Sequence, residues 1–458
     1  MAQAALYQQT GISGKKRGLV DSNILTTEPL RSDELRIAML SYHTCPLATL
    51  GGKDTGGMNV YVRDLTRFLG RLGVHVDVFT RSQDEHVPHV LHDLGYGNRV
   101  VHIPAGPERP MPKIELIKFI PDFVDGIIRF TTAKDIRYDL IHSHYWMSGI
   151  AGLDLKSTWQ LPLIHMFHTL GAMKNRVAQT NEQLEGDYRI KGEKRVLRDA
   201  DLIIAATPAE VAQLQWLYQA DISKVEIVPP GVDTSRFYPI PKDEAKEFIG
   251  VKPCDRMLLF VGRIEPLKGL DVLLQAIAIM REHGLYQETP FCLAVIGGNL
   301  DVEEEGNEAG DSNAMTDEMI RLQEMRSQLG LEDFVVFLGR KSQDTLPYYY
   351  SAAEAVIVPS HYESFGMVAL EAMACGTPVV ASQVGGLAFL IQDGVTGYHV
   401  PVGDPEALCD RITALLTDQD LRNKLGQQAA EFAWEYRWEI ASARIYDLYR
   451  YQLQQVIV

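Results

Sequence analysis

Apolar residues along the chain recur first with strand spacing and then with helix spacing, which predicts strands that alternate with helices. Residues 36–41 form a short apolar run of strand length, and the apolar positions between 61 and 72 recur every three or four residues. Alternating valines over 74–78 predict a second strand. The order strand, helix, strand is that of a βαβ unit, whose two strands are parallel.

The same alternation continues along the rest of the chain. Helical spacing occupies 117–131, 193–200 and a stretch that begins at 270, and the tail 404–458 has helical spacing as well. Because helices separate almost every pair of strands, the pattern favours parallel sheets and an α/β fold class. Short apolar runs predict the further strands at 99–103, 139–142, 163–167, 202–206, 224–228, 257–261, 292–296, 334–338 and 354–359.

Prolines and a glycine interrupt the periodicity at 228–239, and we expect a domain boundary there. A chain of 458 residues is long enough for two domains with separate cores. The predicted organisation is a flexible tail (1–34), a first domain (35–235), a second domain (236–430) and a C-terminal helical segment (431–458).

The charge balance and the cysteines argue against several classes of function. Sixty acidic and 44 basic residues give a net charge of −16, which argues against non-specific binding to nucleic acid. The five cysteines lie far apart and indicate neither a zinc site nor a disulfide framework. No apolar run reaches the ~20 residues that a membrane span needs, and none follows the basic residues 15–17 as in a signal peptide. We expect a cytoplasmic protein without membrane insertion.

The most informative stretch is 359–386, in which a loop joins a strand to a helix. Gly366 ends the loop and leaves the first amides of the helix open to an anion, with Ser364 or Glu363 as its cap. Glu363 and Glu371 would repel a phosphate, but their carboxylates suit hydroxyl groups. A nucleotide sugar satisfies both requirements, with Glu363 on the hexose and Glu371 on the ribose. The alternative is a helix cap and a surface salt bridge.

Two further loops at strand ends carry candidate ligand-binding groups. Arg263 and Lys268 flank a strand-to-helix loop, where two cations can converge on a diphosphate; solvated side chains are the alternative. The glycine-rich loop 43–59 follows the first strand, and ligands bind at such positions in open α/β sheets. Its spacing is neither that of a P-loop nor that of a dinucleotide fingerprint. A flexible turn is the alternative.

Four histidines and two cations lie in the first predicted domain. A metal site could be formed by the four histidines, His142, His144, His165 and His168, but no carboxylate or cysteine lies at a spacing that would complete the ligand set. Hydrogen bonding to a sugar is the alternative. The pair Lys113 and Arg189 supplies the charges that a phosphate monoester requires.

The stretch 359–386 resembles the signature of the retaining GT-B glycosyltransferases of family four. Within that family, segments 54–59, 143–146 and 168–174 are similar to those of actinobacterial mycothiol-pathway transferases, which move N-acetylglucosamine from UDP onto 1D-myo-inositol 3-phosphate. The resemblance implies a GT-B fold, in which two Rossmann-like doubly wound domains face each other across a cleft and the C-terminal helix crosses back. A homodimer is compatible with it.

The resemblance also implies roles for individual residues. The donor, a UDP-sugar, is held by Gly57, Arg263, Lys268, Lys341, Glu363, Ser364, Phe365, Gly366 and Glu371. The phosphorylated acceptor is held by His43, Asp54, Thr55, Gly56, Gly57, Met58, Asn59, Lys113, Tyr145, Thr169 and Arg189, of which the last four grip its phosphate. Catalysis rests on Glu363, Arg263, Lys268, His144 and His168. No cofactor is required for the chemistry, but a structural Mg²⁺ is implied on the backbone carbonyls of Tyr350, Ser351, Ala353 and Thr377.

Three functions remain open at this point. The first is N-acetylglucosamine transfer to inositol phosphate by front-face attack with retention of configuration. The second is transfer of glucose from UDP- or ADP-glucose to fructose 6-phosphate, because the acidic insertion 299–315 resembles that of sucrose-phosphate-synthase-like transferases. The third is a protein that binds a nucleotide sugar without catalysis.

Overall fold

The computed structural model describes residues 35–48, 55–178, 180–250, 256–300 and 316–456. The predicted flexible tail (1–34), the predicted acceptor ligand Asp54 and most of the acidic insertion (301–315) lie outside these residues.

The first sheet contains eight strands in the order β3-β4-β2-β1-β5-β6-β7-β8. All neighbouring strands are parallel except the pair β3 and β4. The strands are β1 (Arg36–Leu40), β2 (His75–Arg81), β3 (Val90–Leu91), β4 (Arg99–Ile103), β5 (Leu140–His144), β6 (Leu163–Met166), β7 (Leu202–Ala205) and β8 (Val225–Ile227). The α-helices among them are α1 (Gly57–Arg71), α2 (Lys113–Leu116), α3 (Ile120–Ala133), α4 (Trp146–Trp159), α5 (Gly171–Val177), α6 (Asp187–Asp199) and α7 (Pro208–Tyr218).

The second sheet contains six parallel strands in the order β11-β10-β9-β12-β13-β14. The strands are β9 (Met257–Val261), β10 (Cys292–Ile296), β11 (Val335–Phe337), β12 (Ala353–Val358), β13 (Val379–Ser382) and β14 (Gly397–Val400). The α-helices are α8 (Lys242–Ile249), α9 (Leu270–Glu282), α10 (Leu285–Glu288), α11 (Asp317–Gln328), α12 (Leu346–Ala352), α13 (Met367–Ala374), α14 (Leu387–Leu390), α15 (Pro405–Thr417), α16 (Gln419–Ala433) and α17 (Trp438–Val456). Short 3₁₀ turns lie at Ile117–Phe119, Asn181–Gln183, Ile222–Lys224, Pro266–Lys268 and Trp434–Tyr436.

The predicted fold class is confirmed. Each sheet starts near its centre and extends first to one side and then to the other, which is the doubly wound arrangement of a Rossmann-like domain. Most of the strands, though not β3 and β8, are buried on both faces, and this burial explains why they appeared in the sequence as continuous apolar runs.

The sequence pattern missed some elements. Strand β3 is two residues long, and β13 and β14 were not predicted as strands because glycines and polar residues surround their short apolar runs. Strand β5 continues to His144, two residues beyond the predicted end, because its histidines are buried. Cys292 is disulfide-bonded, which the spacing of the cysteines did not predict.

The chain crosses between the two sheet units twice, and the two crossing segments are hydrogen-bonded to each other. The amide of Val232 donates to the carbonyl of Tyr436 at 2.8 Å, and the amide of Trp438 donates back to Val232 at 3.2 Å. Gly231 has no space for a side chain, because a Cβ there would lie 2.6 Å from the Trp438 ring. The last helix, α17, then packs on α1 in the first unit, where Trp438 contacts Tyr61 and Phe68.

Candidate active site

A large cleft opens between the carboxyl ends of the two sheets, where open α/β sheets place their ligands. Its volume is ≈ 1620 Å³, including space open to solvent. The loop before α1 forms one wall and the loop before α13 forms part of the other. They approach closely, because a Cβ on Gly56 would lie 3.5 Å from Arg263 Nε and one on Gly57 would lie 3.6 Å from Met367 Cγ.

On the wall formed by the second unit, the predicted cations lie beside carboxylates. Lys268 Nζ is 2.5 Å from Glu363 Oε2, and Arg263 Nη1 is 2.7 Å from Glu265 Oε1. All four side chains are partly exposed, so the ion pairs remain accessible to a solute. Lys268 and Glu363 had been assigned to different parts of the donor, and the structure makes them direct neighbours.

The loop at 363–366 is fixed by glycines rather than by a side-chain cap. Helix α13 begins after Gly366, whose φ is 108°, and neither Ser364 nor Glu363 caps it, so that prediction was wrong. The carboxylate of Glu363 is held by Lys268 instead. The pair Gly385 and Gly386 packs against this loop, and a Cβ on Gly385 would lie 1.9 Å from the Glu363 carbonyl oxygen. The open amides of α13 therefore face the cleft in a fixed position.

Glu371 lies one turn into α13 and is almost fully buried. The hydroxyl of Tyr350 donates to its Oε2 at 2.8 Å. Burial raises the pKa of Glu371 to about 7, with a smaller opposing effect from the Tyr350 hydrogen bond. The carboxyl is therefore poised to change ionisation near neutral pH.

On the facing wall, two lysines and two hydroxyl residues line one end of the cleft. Lys113 Nζ lies 5.7 Å from the centre of the Tyr145 ring, and Lys174 and Thr169 lie beside it in the lining. Lys174 Nζ donates to Glu185 Oε1 at 3.1 Å. Two ammonium groups therefore line this end of the cleft, which we call the cationic pocket.

The structure does not place Arg189 in the cleft lining. Its guanidinium is buried behind the wall, with Nε 2.8 Å from Glu193 Oε1 and Nη1 2.6 Å from Glu185 Oε1. Its Nη2 donates to both the carbonyl and the hydroxyl of Thr169 at 3.0 Å. The predicted direct grip on phosphate is therefore corrected to support of the wall, because two carboxylates and Thr169 already occupy its donors.

Asn59 also supports the wall. Its side chain accepts from the Gly56 amide at 2.9 Å and donates to the hydroxyl of Thr44 and the carbonyl of Cys45, both at 2.7 Å. These bonds hold the glycine-rich loop at the start of α1. Asn59 lines the cleft, but its amide serves the loop.

The four histidines form a buried cluster under the first wall. His168 lies on the wall with φ at 61°, and its Nε2 is 3.0 Å from Nδ1 of the fully buried His144, which does not line the cleft. His142 contacts the Tyr449 hydroxyl of α17 at 2.7 Å, and His165 contacts the Ser143 hydroxyl at 2.7 Å. Burial lowers the pKa of His142 and His168 to about 3, so the rings are neutral. Within the described ranges, no group of three or more histidines, cysteines or carboxylates could hold a metal ion.

Most of the predicted site residues do lie together. The lining contains all nine predicted donor residues, and the predicted acceptor residues that it contains are His43, Thr55, Gly56, Gly57, Met58, Asn59, Lys113, Tyr145 and Thr169. The lining also contains Lys174, Arg340 and Gln343, which were not predicted. Lys174 was within reach of the sequence, since it lies one turn after Thr169, but Gln343 was not, because it reaches the cleft through contacts with Arg63 and Arg236.

The four positions predicted to hold Mg²⁺ lie outside the cleft lining. The carbonyl of Tyr350 already accepts hydrogen bonds from the amide of Ala353 and, at 2.6 Å, from the hydroxyl of Thr377. The hydroxyl of Ser351 accepts from the Ile240 amide at 3.2 Å. Both lone pairs of the Tyr350 carbonyl are therefore used, so this carbonyl does not fit a magnesium ion, and we assign no step to one.

Two protein-family models match this chain. The model described as Glycosyltransferase Family 4 matches residues 55–236, and the model described as Glycosyl transferases group 1 matches residues 241–432. The first match contains the end of the glycine-rich loop and the cationic pocket, and the second contains the loops around Arg263 and Glu363.

Several curated proteins are similar over nearly the whole chain. D-inositol 3-phosphate glycosyltransferase 2 of Catenulispora acidiphila is 39% identical over 92% of this chain and 96% of its own. D-inositol 3-phosphate glycosyltransferase of Actinosynnema mirum is 40% identical over 88% of this chain and 94% of its own.

Solved structures are similar as well. Sucrose-phosphate synthase from Thermosynechococcus elongatus has a TM-score of 0.82 and 32% identity over 92% of this chain and all of its own. The Anabaena protein HepE, solved with UDP and glucose, has a TM-score of 0.67 at 20% identity, over 91% of this chain and 99% of its own, which shows the fold alone. Among the described helices, none is long and apolar enough to cross a membrane.

Proposed function

Because the chain belongs to the family 4 glycosyltransferases of GT-B fold, we propose that it transfers a hexosyl unit from a UDP-sugar to a phosphorylated polyol or sugar with retention of configuration. The best-supported pair is UDP-N-acetylglucosamine as donor and 1D-myo-inositol 3-phosphate as acceptor. The names of the curated relatives support the acceptor, and the resemblance of the 143–146 and 168–174 segments supports the donor.

One observation carries the proposal: two separate cationic groups face each other across one cleft. Arg263 and Lys268 lie on the wall of the second unit, beside the open amides of α13, and Lys113 and Lys174 lie on the wall of the first. A donor diphosphate and an acceptor phosphate need two such groups, because a single group would bring the two anions together.

The charges that move in the reaction match this arrangement. Cleavage of the bond between the sugar and the diphosphate leaves negative charge on the β-phosphate, and Lys268, Arg263 and the α13 amides are the groups that stabilise it. Among the described residues that line the cleft, the carboxylates are Glu363, which is paired with Lys268, and Glu371, which is buried against Tyr350. Because both carboxylates are already engaged, we assign neither as a nucleophile that forms a covalent sugar–enzyme intermediate. The acceptor hydroxyl instead attacks the sugar from the same face that the diphosphate leaves.

Of the four clustered histidines, His168 is the one that lines the cleft. Because its ring is neutral, it can donate or accept one hydrogen bond to a substrate hydroxyl but cannot act as a cation. His144 fixes the ring from behind through the 3.0 Å contact, so its predicted catalytic role becomes one of positioning.

A second candidate function is transfer of glucose to fructose 6-phosphate. The observation that favours it is the 32% identity and TM-score of 0.82 with the sucrose-phosphate synthase. Both acceptors carry a phosphate monoester, so the cationic pocket suits either one.

The test is release of the nucleoside diphosphate from a panel of donors and acceptors. The panel pairs UDP-N-acetylglucosamine, UDP-glucose and ADP-glucose with 1D-myo-inositol 3-phosphate, fructose 6-phosphate and the dephosphorylated form of each. We expect turnover with UDP-N-acetylglucosamine and inositol phosphate to exceed all other pairs, and a retained anomeric configuration by NMR. Preference for glucose donors with fructose 6-phosphate would establish the second candidate instead, and equal rates with dephosphorylated acceptors would refute both.

Donor affinity should depend on pH through Glu371. Ribose hydroxyls donate to a carboxylate better than to a carboxylic acid, so affinity rises as this group ionises through its raised pKa of about 7. We expect the donor dissociation constant to fall about tenfold between pH 6 and pH 8. The Glu371→Gln variant should bind more weakly and show a flat profile. A profile of the same slope in both proteins would remove Glu371 from donor binding.

The stability of the ligand-free protein should move in the opposite direction. A folded-state pKa raised above 4.5 contributes stability that is present below pH 4.5 and is lost as pH rises through about 7. Glu210, also buried with its pKa raised to about 7, adds to this loss in the same window. Thermal unfolding without donor therefore separates the two effects.

A further inference from the structure

The carboxylate of Glu185 pairs with Lys174, one of the two lysines of the cationic pocket, although Glu185 does not itself line the cleft. Its Oε1 lies 3.1 Å from Lys174 Nζ and 2.6 Å from Arg189 Nη1, so one oxygen accepts from two cations. The charges of Arg189, Lys174 and Lys113 lower the pKa of Glu185 despite its burial, so the group is ionised. Lys174 thus already has an oxyanion partner, supplied by the chain itself.

The backbone of Glu185 is fixed by hydrogen bonds, whereas its side chain is partly exposed. The side chain of Asn175 holds both backbone groups of Glu185, accepting from its amide at 2.6 Å and donating to its carbonyl at 3.0 Å. The Glu185 carboxylate keeps 21% of its surface exposed, whereas that of Glu193 is fully enclosed. A rotation about the side-chain bonds of Glu185 therefore moves its charge toward solvent without disturbing α5, the helix that carries Lys174.

The formal charges show when such a rotation is favoured. Lys113, Lys174 and Arg189 face the two carboxylates of Glu185 and Glu193, which leaves one net positive charge. A phosphate monoester carries about two negative charges at neutral pH. With Glu185 in place the pocket would be left negative by one charge, and with Glu185 turned away the charges cancel. A monoanion gains nothing from the rotation, because the pocket is already neutral when it binds with Glu185 in place.

Resting on the proposed function, we propose that Glu185 is a specificity-determining residue, an internal counter-ion that a dianionic acceptor phosphate displaces from Lys174 and that weaker anions do not. Glu185 thereby sets the preference of the enzyme for doubly charged over singly charged acceptors. The device needs no motion of the domains and no group outside the described residues.

The experiment measures binding of inorganic phosphate and of acetate by calorimetry, in the whole protein and without any donor. In the Glu185→Gln variant, which keeps the shape of the side chain, we expect phosphate to bind about tenfold more tightly and acetate to become detectable, because a charge-assisted hydrogen bond no longer competes. The Lys174→Met variant should bind phosphate about tenfold more weakly. The matched control is Glu318→Gln on α11, which removes a carboxylate paired with Arg321 at 2.7 Å away from the cleft and should leave both affinities unchanged.

The outcomes separate this inference from the proposed function. Unchanged or weaker phosphate binding in Glu185→Gln would show that Glu185 only orients Lys174 and Arg189, and would overturn the inference. If phosphate binds as expected but no phosphorylated acceptor supports release of the diphosphate, the proposed function fails while the site stands. In the active enzyme, Glu185→Gln should raise kcat/KM for a phosphorylated acceptor and leave that for its uncharged, dephosphorylated form unchanged.

Discussion

Replacement of Lys268 by alanine should lower kcat by about 10²–10³-fold, the loss that follows removal of one preorganised donor from a developing negative charge. Lys268 lies on the cleft wall at the end of a 3₁₀ turn, with its ammonium 2.5 Å from Glu363. The turn ends at Gly269, where a Cβ would lie 2.1 Å from the Pro359 carbonyl oxygen, so the backbone under Lys268 is fixed against the β12 end. The acceptor KM should change little, because the acceptor pocket lies on the opposite wall.

A competing explanation is that Lys268 only neutralises Glu363. The double variant Lys268→Met with Glu363→Gln removes both charges, and it would restore kcat if neutralisation were the whole role. We expect it to remain as slow as the single variant. Lys424→Ala, at an exposed lysine of α16 in the same unit, is the matched control for loss of one positive charge and should behave as the natural protein. Steady-state rates of diphosphate release at saturating acceptor measure the effect.

The repeating pattern of strands and helices was sufficient to predict the fold. Apolar runs such as 257–261 and 292–296 correspond to buried parallel strands. Such strands can be predicted from the length and hydrophobicity of the run alone. The strands that were missed, β3, β13 and β14, have four residues or fewer, so their pairing depends on neighbouring strands rather than on their own sequence. Local spacing carries no information on such partners.

The site was predicted in part for a similar reason. Loops at strand ends could be located, and glycine, cation and carboxylate residues in them identified Arg263, Lys268 and Glu363. Sequence could not distinguish a side chain that faces the cleft from one that lies a layer behind it. His144 and Arg189 have the right chemistry for substrate contact, but His144 is turned toward His168 and Arg189 toward buried carboxylates.

The corrected role of Arg189 predicts the largest effect on stability. Its removal leaves the fully buried carboxylate of Glu193 without its cation, and breaking a buried ion pair in this way costs about 3–5 kcal/mol. Glu193 also accepts from the Gly171 amide at the start of α5, so the loss reaches the segment that carries Thr169 and Lys174. We expect Arg189→Met to lower the free energy of unfolding by that amount in chemical denaturation.

The same helix offers a matched control and a contrary outcome. Arg195, two turns further along α6, pairs with Asp154 at 3.3 Å with both side chains about half exposed, and Arg195→Met should change the unfolding free energy by about 1 kcal/mol or less. Adding Glu193→Gln to Arg189→Met should recover part of the loss, because the uncompensated charge is then gone. If Arg189→Met were as stable as the natural protein and raised KM only for phosphorylated acceptors, the guanidinium would contact the acceptor phosphate directly. The layer of carboxylates behind the wall would then have to open when the acceptor binds.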